Sequence, residues 1–277
     1  MNIFLTGGTG FIGKSFLKLA IKKNHYVFAT TRKIKNKKIS NVKWLVGNFD
    51  KNWKNELKKS DMLVHFASTG VLKKKYNTKD IFEVNFLKPL NLLLNAIKYG
   101  CKNWLIISTS SEYGKVTLDN KRLSINSSRK PKTDYSKSKA LFTDMAISLA
   151  KKHNCKARIM RLFPIYGPGE HHKRFFPSLK RAALKGKNFI VKNPSELTDF
   201  TKVDYATEAL IDAINLKKNP FKHYQIWHIS ENKPITVSEF AKKYWKFYKA
   251  KGKLILKNKK KVFTKHVSNK KSLWKLN

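Results

Sequence analysis

The chain has 277 residues, 41% of them hydrophobic and 12% aromatic, enough for one large core or a main domain with a smaller lobe. Its net charge of +43 is nearly all lysine, scattered and interleaved with asparagine; that reads as a solvent-facing bias, not as the concentrated face of a dedicated nucleic-acid binder, and it favours small anionic ligands. No apolar run reaches the ~18 residues of a membrane span, and Cys101 and Cys155 lack metal spacing. With a strand starting at residue 3, no signal peptide fits either, so a reducing, cytoplasmic setting is expected.

Ile3 to Leu5 predicts a buried strand, Gly7 to Gly13 a glycine turn, and Lys14 to Lys23 a helix. Gly8, Gly10 and Gly13 have G-x-G-x-x-G spacing, with Gly7 in front. Such a turn needs one glycine to bend sharply, one to let backbone approach a pyrophosphate, and one to bring helix and strand together. The helix N-terminus then offers N–H groups to phosphate oxygens. His25 to Thr31 is a second strand, followed by Arg32 and Lys33 where a NAD-binding fold usually has an acid. Arg32 could grip a 2′-phosphate, which favours NADP(H), with NAD(H) as the alternative.

Val42 to Val46 is a third strand, leading to Asn48 and Phe49; Asp61 to Ala67 is a fourth. Asp80 to Tyr99 reads as one long helix with Asn85 among apolar neighbours. A buried asparagine must be hydrogen-bonded, either tying down a backbone kink or serving a proton relay. Trp104 to Ser108 is a fifth strand, residues 115–134 a polar loop, and Asp134 to Ala150 a helix. Arg158 to Phe163 is a sixth strand. The repeated β-α rhythm predicts a doubly wound parallel sheet of Rossmann type over residues 1–169. Over 170–277 it loosens into a smaller lobe at the sheet's carboxyl edge. Helices are expected at Phe175–Gly186, Tyr205–Leu216 and Val237–Lys249, a strand at Tyr224–Ile229, and a mobile lysine-rich tail from Lys251. His171 and His172 look like a metal pair but have no further ligands, so no metal site is expected.

Tyr135 and Lys139 lie one helical turn apart on one face. A free phenol has a pKa of ~10. A neighbouring ammonium and an oxidised nicotinamide would lower it. Thr109, ending the fifth strand, could share a substrate oxygen with Tyr135 while hydride moves on the cofactor.

GGTGFIG (7–13), DMLVHFA (61–67), VNFLKPLNLL (84–93), STSSEYG (108–114), YSKSK (135–139), RLFPIYGPG (161–169) and TDFTKVD (198–204) occur in order and span most of the chain. In these stretches the chain resembles the extended short-chain dehydrogenase/reductase family, the NAD-dependent epimerase/dehydratase group acting on nucleotide sugars. The resemblance implies Thr109, Tyr135 and Lys139 as catalytic residues, with Tyr135 and Lys139 also touching the cofactor. It implies Gly7, Gly10, Phe11, Ile12 and Gly13 at the pyrophosphate, with Asn48 and Phe49 near the adenine and Ala67 beside the cofactor. Ser110, Ser111 and Arg174 fall to the nucleotide-diphosphate sugar, and homodimerisation through the helices carrying Tyr135 and Asn91 is implied as well.

Dehydratases of the family carry Asp-Glu after the catalytic threonine, and 3,5-epimerising reductases a cysteine two places after it. This chain has Ser110 and Ser111. Reduction of a 4-keto-deoxysugar nucleotide for surface polysaccharide, as in CDP-abequose-type synthases, and 4-epimerisation remain, and Arg32 favours reduction. A noncatalytic nucleotide-binding regulator is the reading from another class. Pro164 and Thr198 stand where relatives often have asparagine and arginine against the diphosphate, leaving Lys173, Arg174, Lys180 or Arg181 to replace them.

Overall fold

The computed structural model describes residues 1–33, 39–72, 76–114, 122–215, 221–257 and 263–274. Seven parallel strands form the central sheet: β1 (Asn2–Thr6), β2 (Tyr26–Thr31), β3 (Val42–Val46), β4 (Met62–His65), β5 (Asn103–Thr109), β6 (Lys156–Leu162) and, after four shorter strands, β11 (Tyr224–Ile229). Their order is β11-β6-β5-β4-β1-β2-β3, so direction of travel reverses between β1 and β4. Ligands bind outside the carboxyl ends at such a switch point.

The strands read as apolar runs because both faces are covered. Ile3 and Leu5 face α1 (Phe11–Lys22) and α7 (Val203–Asn215). Phe4 faces the other layer, where α4 (Lys88–Lys98) and α5 (Asp134–Lys152) contribute Leu92, Leu93, Phe142 and Ala146. Two short helices, α2 (Lys54–Lys58) and α3 (Thr78–Phe82), complete that side. Leu216, expected at the end of α7, and residues 115–121 of the polar loop lie outside the described residues.

The long helix expected at Asp80 to Tyr99 is broken into α3, a π turn at Glu83–Leu87, and α4. Pro89 has no N–H for the Asn85 carbonyl, so the ladder must widen there. The Asn85 side chain accepts from Thr69 N at 2.8 Å, and donates to Thr69 O at 3.0 Å and Ser138 Oγ at 3.1 Å. Of the two roles open to it, these bonds support the tether: Asn85 clasps the loop after β4 to α5.

Among the described residues, the remaining elements form a helix pair and three small sheets of their own. α6 (Phe175–Leu184) packs on α8 (Val237–Phe247) through Leu179 and Ala241. Beside them β8 (Phe189–Val191) pairs with β13 (Leu254–Leu256), β9 (Glu196–Thr198) lies between β12 (Ile235–Thr236) and β14 (Phe263–His266), and β7 (Ile165–Tyr166) pairs with β10 (Thr201–Lys202).

The tail is not loose over residues 267–274. Ser268 N donates to Asp199 Oδ2 at 3.3 Å, and Leu123 bridges to Ser268. Trp274, 7% exposed, sets its ring 4.8 Å from Trp227 and donates from Nε1 to Asp212 Oδ2 at 2.9 Å. Lysine content suggested mobility, but two apolar anchors, Val267 and Trp274, reach the core. Trp274→Ala should therefore cost about 3 kcal/mol of stability, read as a lower urea midpoint at unchanged slope.

Candidate functional site

The site grows from the turn between β1 and α1. Gly7 has φ +71, and a Cβ there would stand 2.6 Å from Ala67 N. A Cβ on Gly13 would lie 2.2 Å from Gly7 O, and one on Gly10 3.2 Å from the same oxygen. A Cβ on Gly8 would meet only side-chain atoms, of Leu5 and Ala29. The spacing that shapes the turn is thus Gly7, Gly10, Gly13, one step wider than the G-x-G-x-x-G register. α1 opens at Phe11 with Gly10 as its N-cap, no side-chain cap and no acid in its first turn. The backbone of Phe11, Ile12 and Gly13 therefore presents positive partial charge toward an anion.

Around this cradle sit the other expected cofactor positions. Ala67 N lies 3.3 Å from Thr6 Oγ1, which also bonds His65 Nδ1 at 2.8 Å. The Phe49 ring meets His65 edge-on at 5.4 Å, and Asn48 O accepts from Trp53 Nε1. Burial, and secondarily the Lys139 charge, hold His65 well below the ordinary imidazole pKa, so it is neutral. Arg32 is exposed immediately past β2.

Across the switch point, α5 starts with a capping box between Thr133 and Ser136. That box fixes the first turn, which carries Tyr135. The Tyr135 phenol is hydrogen-bonded to Thr109, and Thr109 Oγ1 also accepts from Ser111 N at 3.1 Å. Lys139, one turn on, is 3% exposed, with its Nζ 5.8 Å from the Phe142 ring. Ser110 is buried and Ser111 half-buried, so Ser111 is the better placed of the two to meet a ligand. Arg174, the N-cap residue of α6, donates from Nε to Glu170 Oε1 at 3.2 Å. Its charge reaches Tyr135 and favours the phenolate. Lys180 lies over Tyr248 at 5.6 Å, and Arg181 donates to His172 O at 3.0 Å. Arg174 is thus the one of these three whose charge acts on Tyr135, while Lys180 lines the cavity beside Gly167, Pro168 and Gly169. Thr198 is buried and short, as is expected of a residue that does not reach a diphosphate.

The sequence model of the NAD dependent epimerase/dehydratase family matches residues 3–226. The chain belongs to this family. Among curated relatives it is 26% identical to a UDP-glucose 4-epimerase of Vibrio cholerae, over 87% of this chain and 74% of that protein. It is 29% identical to the CDP-abequose synthase of Salmonella typhimurium, over 81% and 74%. The structure of UDP-glucuronic acid 4-epimerase from Bacillus cereus, in complex with UDP-glucuronic acid and NAD, superposes at TM-score 0.86 with 18% identity, covering 100% of this chain and 94% of that one. This epimerase-family chain is therefore an NAD-dependent nucleotide-sugar enzyme by kinship, with a fold shared beyond sequence likeness.

Charge in the site departs from expectation at Tyr135. Lowering by Lys139 was anticipated; burial wins, and the phenol sits above its ordinary value. Arg174 and the Thr109 hydrogen bond pull it down, while Glu112 pushes it up. The ammonium itself is weakened: burial lowers Lys139 to about 8, with Glu112 opposing.

Glu112 is the residue the motif reading passed over. It is wholly buried and accepts from Ser108 Oγ, Thr143 Oγ1 at 2.9 Å, Arg161 Nε at 3.2 Å and Arg129 at 3.2 Å. One signal could have found it. Arg161 interrupts an apolar strand, pairs in register with Ser108 on β5, and a buried guanidinium demands a carboxylate nearby. His171 and His172 stack on each other in the exposed loop, and no metal-like cluster occurs among the described residues.

Because the folded Lys139 titrates near 8 against 10.5 for the free group, charging it opposes folding below that range. The unfolded chain binds more protons between the two values, so this residue's contribution rises with pH from about 8 to 10.5. In urea titrations across that window, the stability difference between wild type and Lys139→Met should move in favour of wild type as pH rises; a flat difference would show an ordinary lysine.

Proposed function

We propose that the chain reduces a 4-keto-deoxysugar carried on a nucleoside diphosphate, with NADPH as the donor, supplying a deoxysugar for surface polysaccharide from the cytoplasm. The observation that carries this reading is the turn after β5. Beside Thr109 it offers the hydroxyls of Ser110 and Ser111, and its carboxylate, Glu112, is locked among four donors. A dehydration needs an available acid–base pair there; moving a proton to a ketone oxygen does not.

The cradle fits a dinucleotide. A side chain at Gly7, Gly10 or Gly13 would fill it. Gly7, Gly10 and Gly13 with the N–H groups of Phe11 and Ile12 would hold the pyrophosphate, Asn48 and Phe49 would border the adenine, and Ala67 would lie beside the nicotinamide half. When bound, that cofactor supplies hydride to the sugar carbon. Tyr135 donates its proton to the carbonyl oxygen as negative charge develops there, and its raised pKa keeps that proton in place beforehand. Thr109 holds the same oxygen in line. Lys139 grips the ribose hydroxyls and stabilises the phenolate left behind. Arg174 and Ser111 hold the diphosphate sugar, with α6 and α8 bordering it, while α7 and β11 of the same C-terminal stretch belong to the central sheet and its helix layer. Arg32 would pair with a 2′-phosphate.

The second reading is 4-epimerisation, favoured by the kinship with UDP-glucose 4-epimerase. A 4-keto-6-deoxy sugar nucleotide with NADPH separates the two. Loss of reduced-nicotinamide absorbance supports reduction; no loss, with interconversion of UDP-sugars, supports the epimerase. Tyr135→Phe should lower kcat at least about a hundredfold, while Arg32→Glu should raise KM for NADPH and spare NADH. A biological activity that survives Tyr135→Phe would point to a noncatalytic regulator.

A homodimer through α4 and α5 is part of the proposal. Leu87, Leu94 and Leu141 stand 51%, 45% and 46% exposed on the π turn, α4 and α5, more than isolated helices leave in water without reason. Leu94→Glu with Leu141→Glu should halve the mass by light scattering; an unchanged mass would place the contact elsewhere.

A further inference from the structure

Glu170, in the loop between β7 and α6, occupies a costly position. Its side chain is 6% exposed. Oε1 accepts from Arg174 Nε at 3.2 Å, while Oε2 is buried and has no hydrogen-bond partner among the described residues. Burial pushes the carboxyl up, against the pull of Arg174. A buried ion pair with one oxygen unanswered adds little to stability, so folding alone does not account for an acid at this place. Lys180 and Lys202 line the same cavity of about 340 Å³. Lys180 lies over Tyr248, and the salt bridge of Glu170 is made with Arg174.

The contact uses one edge of the guanidinium. Nε is occupied, and neither Nη1 nor Nη2 bonds a described residue. The Arg174 side chain is 38% exposed, so a buried acid holds the root of a fork that a ligand can reach. Two parallel N–H donors suit two phosphate oxygens. A freely turning arginine would have to be ordered by the ligand itself, at a cost in affinity. The loop that carries Glu170 also rests on the start of α1, since a Cβ on Gly169 would lie 3.8 Å from Phe11 Cδ2. Glu170 therefore ties Arg174 to a loop that touches the dinucleotide cradle.

We propose that Glu170 is a positioning residue for the substrate: by accepting from Nε it aims the Arg174 fork at the diphosphate of the nucleotide sugar. This rests on the reading that Arg174 meets the diphosphate, and it holds for a reductase and an epimerase alike.

The test is equilibrium dialysis of the full chain, first with UDP, CDP, GDP and dTDP on wild type. The tightest of the four is then the probe, and its nucleoside is the control that lacks the diphosphate. Glu170→Ala should weaken the diphosphate about tenfold and the nucleoside less than about twofold. Glu170→Gln, which keeps an acceptor for Nε without the charge, should recover most of that loss. Arg174→Lys, which keeps the charge and loses the fork, should weaken the diphosphate as much as Glu170→Ala does. In an Arg174→Ala background, adding Glu170→Ala should cost nothing further. Wild-type affinity in Glu170→Ala or in Arg174→Lys would overturn the proposal. So would a Gln variant no better than Ala, an equal loss for the nucleoside, or a further loss in the Arg174→Ala background. Wild type that binds none of the four diphosphates would instead remove the nucleotide-sugar reading, and this assignment with it.

Discussion

A carboxylate sealed from water must be met by donors on nearly every lone pair, and Glu112 imposes that demand on the centre of this molecule. Ser108 answers from β5, Arg161 from β6, Thr143 from α5 and Arg129 from the loop before it. Those four elements are the ones that place Thr109 and Tyr135. Thr143 lies one turn beyond Lys139, so the bond to Glu112 also sets the rotation of α5 about its axis. Arg161 carries the lattice further, donating to the Tyr113 hydroxyl, which bonds His228 on β11. His228 Nδ1 in turn meets Ser268 of the C-terminal segment. A single buried charge thus orders strand ends, a helix and the returning chain as one unit.

The same burial works on the two titrating residues in opposite senses. Desolvation disfavours whichever form is charged, so it raises a phenol and lowers an amine. Tyr135 moves up from 10.0 and Lys139 down from 10.5 to about 8, so the amine, at first slightly the stronger base, becomes the weaker one and their proton affinities move apart. The phenol therefore keeps its proton until a stronger acceptor, such as a developing alkoxide, stands beside it. Arg174, from a different part of the chain, tilts the balance toward the phenolate when its guanidinium is present. Glu170 holds that guanidinium, and its own carboxyl is pushed up by burial against the pull of Arg174.

Periodicity made the sheet legible: strands buried on both faces announce themselves as apolar runs, and the doubly wound parallel arrangement followed from the β-α rhythm. The placing of Thr109 at the end of β5 and of Tyr135 and Lys139 one turn apart at the start of α5 was legible, because both element ends are clear in the sequence. The π turn was not, since apolar spacing continues through it and only Pro89 marks the break. The tail misled because lysine frequency says nothing of two anchors such as Val267 and Trp274, whose partners lie far away in sequence. Glu112 was hidden for a related reason. Its partners come from β5, β6, α5 and the loop before α5, and a motif read along one segment cannot see across strands.

Scarcity of acid gives those placements their weight. With 17 Asp and Glu against 60 Lys and Arg, random pairing would leave carboxylates wherever lysines are densest, on the surface. Several instead hold interior or capping positions: Glu112 under the site, Asp199 at Ser268, Asp212 on Trp274, Glu239 at the start of α8. Surface pairs such as Lys43 with Glu56 add little stability each. Other acids, among them Asp61, Asp204 and Glu208, stay at the surface among many lysines. Where such an acid stands beside an exposed apolar residue, as Glu83 does one turn from Leu87, the surface can meet its own copy with less repulsion.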